Sequence, residues 1–300
     1  MSKYYNLFNN DNDNLLKKEI ELENLLTNFL IEDIGTGDIT SNILIDEKIE
    51  SNAQIICKNN GNIIVSGLEE AKSIFEICNC NCILLKDDGD ILKENKTIVM
   101  EIQGAARSIL KAERTALNLI MHMSGISTKT YQFIKEIGEY SKFVNISSTR
   151  KTTPGLRHFD KKSVILGGGI SHRRRLDQLI LIKDNHIAII GSVSKAVSMA
   201  KSKFGSNRKI ECEVSEPQGI LEAIEAGADI VMLDNFTPQL VKKSIEKIKE
   251  QGLRDKVVIE VSGGITLDNI NQYASSRPDI ISIGSLTHSF QAIDFSLEID

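Results

Sequence analysis

The chain lacks a basic excess, a long apolar run and an even set of cysteines, and each absence removes a class of protein. Lysine and arginine number 36 against 41 acidic residues, giving a net charge of -5 and a pI near 5.7. The basic footprint expected of a nucleic-acid partner is missing, so any anionic ligand must be held by locally concentrated positive charge. No stretch approaches the roughly 18 uninterrupted apolar residues that a membrane span requires. Residues 1–14 are polar and asparagine-rich, with no apolar signal core, and read as an extension. The expectation is a soluble cytoplasmic protein that engages neither membrane nor nucleic acid. Five cysteines do not make a secreted disulfide framework. Cys78, Cys80 and Cys82 alternate with asparagine. Zinc thiols usually stand two to four residues apart, and no histidine is near. The preferred reading is therefore a small-residue strand face in a reducing compartment.

What is present, 300 residues with 41% hydrophobic content, can fill one large core or two modest ones. Residues 15–116 read as a mixed α/β unit, with a helical pattern over 15–32, strand-like runs at 53–57 and 62–65, a helix over 69–78 and short strands up to 102. Helical spacing of Ile109, Leu110, Ala116, Leu117, Ile120 and Met121 predicts a long connecting helix over 105–124. From there to residue 288, short apolar runs alternate with amphipathic stretches. The runs are 143–146, 163–166, 179–182, 210–214, 230–233, 257–261 and 280–283, seven candidate parallel strands, and crossover helices are expected over 192–204, 216–227, 237–252 and 266–275. Strand and helix in alternation predict an α/β barrel, and residues 289–300 could return to the first unit.

Nearly every run ends in polar or glycine residues, at the edge where barrel active sites are built. Arg150, Lys151, His172, Arg173 and Lys183 supply positive charge, and Glu211, Glu213 and Asp234 supply carboxylates. Arginine grips carboxylate or phosphate with paired hydrogen bonds, and lysine acts as a point charge. Carboxylates facing such a cluster would repel a bare phosphate, so they must serve by holding magnesium, binding sugar hydroxyls or stabilising a forming cation. A phosphoribosyl pyrophosphate would use all three. Ser262-Gly263-Gly264 and Gly284-Ser285, followed by His288, end the last two strands, where barrels often bind phosphate. Glu211 and Glu213 share a strand face, and Glu213, nearer the rim, is the chosen metal and donor residue. His122 and His158 read as packing or surface residues, and His186, after Lys183-Asp184-Asn185, is open between a role in the site and one in fixing the loop that aims Lys183.

Several strings then resemble one family, the quinolinate phosphoribosyltransferases, also called carboxylating nicotinate-nucleotide pyrophosphorylases. They are Glu32-Asp33-Ile34-Gly35-Thr36-Gly37-Asp38-Ile39-Thr40, Ala112-Glu113-Arg114-Thr115-Ala116-Leu117-Asn118, Ser124-Gly125-Ile126 and Thr149-Arg150-Lys151-Thr152-Thr153-Pro154-Gly155-Leu156-Arg157. Further along come Gly167-Gly168-Gly169 with His172-Arg173, Leu181-Ile182-Lys183-Asp184-Asn185-His186, Leu233-Asp234-Asn235 and Ser262-Gly263-Gly264-Ile265. The resemblance runs in unbroken order over residues 25–290. It implies an N-terminal α/β sandwich (15–116) and a seven-stranded open α/β barrel (117–288) carrying the active site. It implies transfer from 5-phosphoribosyl 1-pyrophosphate to quinolinate with decarboxylation to nicotinate mononucleotide. A homodimer is implied too, with Arg114 supplied to the partner's site and assembly into a hexamer left open.

By the same resemblance Arg114, Thr149, Arg150, Lys151, His172 and Arg173 bind quinolinate. Lys183, Glu213 and Asp234 meet the phosphoribosyl donor and its Mg2+, and Ser262, Gly263, Gly264, Gly284, Ser285 and His288 take the phosphate. Lys151, Glu213 and Asp234 are the expected catalytic groups. Ser148, Ser171 and Ser215 depart from the family pattern: an acidic residue often precedes Thr-Arg-Lys, asparagine usually precedes His-Arg, and an acid follows soon after Glu213. The alternatives are a molybdenum-associated paralogue with another substrate and a catalytically silent phosphosugar-binding protein.

Overall fold

The computed structural model describes residues 15–299 apart from residue 206, and side chains from residue 21 onward; the polar extension 1–14 lies outside the described residues. The chain divides into two compact units, one of residues 15–129 with 290–299 and one of 130–289. The division falls inside a helix, thirteen residues beyond the boundary expected at 116.

In the first unit, helix α1 (Leu15–Ile34) is followed by the short α2 (Ile39–Leu44). Asp38 caps α2 by accepting the Ser41 amide hydrogen at 3.0 Å. Strands β1 (Glu50–Cys57), β3 (Asn81–Leu84) and β5 (Thr97–Ala105) and the late strand Phe295–Ile299 form an antiparallel sheet, in which β1 lies between the late strand and β5. A small ladder, β2 (Ile63–Ile64) with β4 (Ile91–Leu92), and helix α3 (Leu68–Ile77) complete the unit with the first part of α4 (Ala106–Glu136). Of the three spaced cysteines only Cys82 lies on a strand, while Cys78 follows α3 directly, so the expected shared strand face does not form. Burial first, then neighbouring charge, pushes the Cys80 thiol up to about 11 and Cys82 to about 12, which keeps both protonated.

Helix α4 runs twelve residues past the expected end at 124. Its small polar residues suggest a break, yet they pack tightly. Ser124 Oγ accepts from the Ser66 amide (3.0 Å) and Thr128 Oγ1 from the Ile64 amide (3.0 Å). At Gly125 an added Cβ would stand 2.5 Å from the Gln291 carbonyl oxygen, so the returning chain end passes against bare helix backbone.

In the second unit β6 (Asn145–Ser147), β7 (Ile180–Ile182), β8 (Ile210–Val214), β9 (Ile230–Asp234), β10 (Val258–Ser262) and β11 (Ile280–Ser282) form one sheet in the order β6-β11-β10-β9-β8-β7, with every pairing parallel. A bridge from Ile170 to Ser147 adds a seventh rung outside β6. With β7 at the other edge, this is an α/β barrel left open between that rung and β7. The apolar run at 163–166 is thus not a strand: it ends helix α5 (Arg157–Leu166), and the barrel rung passes through Ile170 instead. Helices α6 (Asp184–Ile190), α7 (Val193–Phe204), α8 (Pro217–Glu225), α9 (Pro238–Glu250), α10 (Ile270–Ala274) and α11 (Ser285–His288) follow their strands. Ser192 and Thr237 cap α7 and α9 through their hydroxyls, and proline opens α8 and α9, where its missing N–H costs nothing.

The parallel register sets which residues share the barrel interior. Ile230 pairs with Glu211 and Val258, Met232 with Glu213 and Glu260, and Asp234 with Ser262. Toward the N-terminal ends of the strands that face is apolar, with Ile170, Leu179, Ile230 and Ile280 clustered and Val258 against them. Toward the C-terminal ends it turns acidic and polar.

Candidate active site

Because all the barrel strands run the same way, the segments after their C-terminal ends converge on one rim. Arg150 and Lys151 follow β6, His172 and Arg173 follow the Ile170 rung, Lys183 follows β7, and the glycine turns follow β10 and β11. Glu213 and Asp234 stand at or next to the ends of β8 and β9.

Helix α5 holds the first segment. Arg157 donates through Nε to Thr152 Oγ1 (2.9 Å) and through Nη1 to the Arg174 carbonyl (3.1 Å), and Asp160 accepts the Thr153 amide hydrogen (3.0 Å). Arg150 Nε is buried without a hydrogen-bond partner among the described residues. Arg173 is buried, with Nη1 donating to the Leu179 carbonyl (3.0 Å), and burial followed by the nearby Arg150 charge lowers its pKa. Two guanidiniums placed to repel one another, one with an idle buried donor, make a site that gains by receiving an anion. The neighbouring Arg174 also has a buried Nε without a hydrogen-bond partner among the described residues, whereas the Arg175 side chain turns to the surface. The Arg174 and Arg175 amides both donate to Gln178 Oε1, and the Arg175 side chain pairs with Asp177 at the surface.

Behind Arg173 lies a buried trio that crosses the barrel interior. His172 Nε2 stands 3.0 Å from Glu211 Oε2 and 3.5 Å from Glu260 Oε2, and both glutamates are fully buried. Burial opposes the imidazolium, but the two carboxylates outweigh it and raise the His172 pKa to about 9. Glu211 is itself raised, by burial and then by Glu260. The Arg173 amide approaches His172 Nδ1 at 2.9 Å, a contact that favours the neutral ring. A neutral hydrogen bond contributes about 1 kcal/mol, whereas breaking a buried charge pair costs about 3–5, so the carboxylates decide the protonation state. The three side chains could enclose an ion, yet the imidazolium already supplies the positive charge they need. His172 is therefore turned to the carboxylates rather than lying open to the rim, and Glu260, one acid within an apolar strand, is a member the sequence pattern did not reveal.

On the rim, Lys183 Nζ donates to Glu213 Oε2 at 2.6 Å, and the Lys183 amide donates to His186 Nδ1 at 2.9 Å, so His186 holds the backbone from which Lys183 projects. Asp234 accepts from Asn235 Nδ2 (2.7 Å). Glu213 and Asp234 come from adjacent strands with side chains on one face, and their hard oxygen donors fit a magnesium ion. The Ser262-Gly263-Gly264 turn needs both glycines in the left-handed region, at φ 97° and 62°, and a Cβ on Gly263 would fall 2.2 Å from Asn235 Oδ1. Gly284 is no left-handed turn. A Cβ there would stand 3.0 Å from Lys151 Cδ and 3.1 Å from His288 Nε2, so Gly284 lies close against both side chains. Thr287 Oγ1 donates to the Lys151 carbonyl (2.8 Å), and the Lys151 amide donates to Thr149 Oγ1 (3.1 Å), which ties Lys151 to the segment carrying Ser285 and His288.

His122 and His158 make edge-on ring contacts with Phe290 and Phe159, as packing residues do. Arg114 lies on α4 in the first unit, exposed, and makes no ion pair among the described residues.

A cationic rim with facing carboxylates and a glycine turn on an open parallel barrel defines an enzyme of anionic, phosphorylated substrates. Residues 38–124 match the N-terminal domain, and residues 126–298 the C-terminal domain, of quinolinate phosphoribosyl transferase, and the chain belongs to that family. It is 43% identical over 267 residues to the probable nicotinate-nucleotide pyrophosphorylase [carboxylating] of Methanothermobacter thermautotrophicus, covering 89% of this chain and 95% of that protein. It is 34% identical to the human nicotinate-nucleotide pyrophosphorylase [carboxylating], covering 95% and 94%. The structure of NadC from Streptococcus pyogenes superposes with a TM-score of 0.87 at 33% identity, covering 94% of this chain and 97% of that one.

Proposed function

We propose that the chain transfers the phosphoribosyl group of 5-phosphoribosyl 1-pyrophosphate to quinolinate and decarboxylates the product, giving nicotinate mononucleotide, pyrophosphate and CO2 in de novo NAD biosynthesis. The observation that carries this reading is the rim itself, where two guanidiniums, one with an unsated buried donor, a lysine–glutamate pair and a glycine turn lie at the same ends of the strands of one barrel. Arg150 and Arg173, with Thr149 and Lys151, take the two carboxylates of quinolinate, and the His172 imidazolium stands behind them. Glu213 and Asp234 face the ribose and stabilise the positive charge that grows at C1 as pyrophosphate departs. The ring nitrogen attacks C1 and becomes cationic, so the electron pair left at C2 when CO2 leaves is stabilised by that charge. Lys151 can then deliver the proton to C2. Lys183, released from Glu213 by the donor, meets its phosphates together with Ser262, Gly263, Gly264, Gly284, Ser285 and His288. Magnesium would be held by Glu213 and Asp234, where it would neutralise the pyrophosphate.

The active unit in this proposal is a homodimer, with Arg114 offered to the partner's site. Its exposure and lack of an ion pair among the described residues support that role. Among the described residues no helix is long and apolar enough to cross a membrane, and the proposed compartment is the cytoplasm. The relatives described above carry the carboxylating pyrophosphorylase name, which favours neither the molybdenum-associated nor the silent alternative. The deciding experiment incubates the purified protein with quinolinate, phosphoribosyl pyrophosphate and magnesium. Nicotinate mononucleotide and CO2 are expected in equal amounts, and their absence would refute the reading.

A further inference from the structure

One buried charge has no place in the reaction above. Lys161, on α5, is fully buried. Its Nζ donates to Ser148 Oγ (3.2 Å) and to the His172 carbonyl (2.9 Å). Both acceptors are neutral, and among the described residues no carboxylate pairs with it. Ser148 lies two residues before Arg150, and the His172 carbonyl opens the peptide bond to Arg173. A single side-chain nitrogen thus joins the two segments that carry the paired guanidiniums.

We infer that Lys161 is a positioning residue for the anion site, which holds the Arg150 and Arg173 segments in register and takes up a proton when a dianion binds to those arginines. The inference rests on the quinolinate reading of the site. The charged groups facing Lys161 are Arg150 after β6, Arg174 after the Ile170 rung, and Arg157 and Asp160 on α5. Burial first and then the three guanidiniums lower its pKa to about 7, with only Asp160 opposing. Two of these guanidinium neighbours lie beside or within the site, so a bound dianion screens them and favours the ammonium. Ser148 is decisive here. A carboxylate at that position would pair with Lys161 and keep it charged at all working pH values, whereas the hydroxyl leaves it free to respond.

The test has two readings. In the ligand-free protein, the 13Cε resonance of Lys161, assigned by its loss in Lys161→Met, should titrate near pH 7; titration near 10 overturns the inference whatever the enzyme's substrate. At pH 8 Lys161 should be only about a tenth charged, so calorimetry of quinolinate binding in buffers of differing ionisation enthalpy should report uptake of roughly half a proton or more per site. Ser148→Asp should keep binding but abolish the uptake. Lys161→Met should abolish uptake and raise KM for quinolinate roughly ten- to a hundredfold, with KM for the phosphoribosyl donor little changed. Uptake unchanged in Ser148→Asp overturns the inference, even if Lys161→Met fails to fold. Absence of any quinolinate binding by the wild-type protein strikes at the functional reading instead, and the ligand-free titration still decides the role of Lys161.

Discussion

Replacing His172 with alanine isolates the energetics of the barrel interior. The imidazole is buried between two fully buried carboxylates, and its pKa rises from 6.5 to about 9, a shift equivalent to about 3 kcal/mol. Because the folded value is the higher, this stabilisation is complete below pH 6.5 and is lost as pH rises through 9. In His172→Ala the same carboxylates face each other uncompensated, and losing one partner of a buried charge cluster costs about 3–5 kcal/mol. For a chain of this size that corresponds to a fall in Tm on the order of 10 °C. Glu211, already raised by burial and by Glu260, loses the partner that restrains it and holds its proton further above the ordinary carboxylate range. The deficit against wild type should therefore be smaller at pH 5, where that proton relieves the repulsion, than at pH 7. Thermal unfolding followed by circular dichroism at both pH values measures it, and the double variant His172→Ala/Glu260→Gln should recover at least half of the lost stability at pH 7. A His172→Ala protein that melts with wild type at pH 7, or a double variant no more stable than the single one, would refute the charge argument.

Arg150→Ala and Arg173→Ala should each cost roughly 2–5 kcal/mol of transition-state binding, read as a fall in kcat/KM for quinolinate; wild-type rates in both would remove them from the site. Chelating magnesium should stop turnover, and Asp234→Asn should weaken the phosphoribosyl donor more than quinolinate, whereas undiminished activity in excess chelator would end the metal proposal. Arg114→Ala and Lys183→Ala should each be nearly inactive yet folded. When their subunits exchange, activity should return toward about a quarter of wild type, because half the dimers are then mixed and each mixed dimer holds one intact site; no recovery with exchange confirmed would take Arg114 out of the partner's site.

What could be read in the sequence depended on whether packing was done by apolar side chains. Strands β8, β9 and β10 are short runs with buried centres, rich in isoleucine and valine and flanked by turn signals, and they form within a residue of expectation. The rim was legible because its charged residues recur at successive strand ends. Helix α5 was hidden, since its buried face includes Asp160, Lys161 and Ser163 beside Phe159 and Val164, and only its last residues form an apolar run. A run that short does not distinguish strand from helix. The seventh rung was hidden for the opposite reason, having Ile170 alone as an apolar residue between glycines and serine. Glu260 escaped because nothing in a single strand tells that a histidine from across the barrel will meet it.

The position of the strand Phe295–Ile299 has a consequence for how the molecule is made. It closes one edge of β1, which begins at residue 50, so the first unit to leave the ribosome is the last to be completed. Throughout synthesis of the whole barrel, β1 keeps a row of unanswered backbone donors and acceptors, a template for a neighbouring nascent chain. A chain stopped just before residue 295 would carry that open edge permanently. Such a truncation is expected to yield an intact barrel on a protein that aggregates, with the exposed edge of β1 as the point of contact.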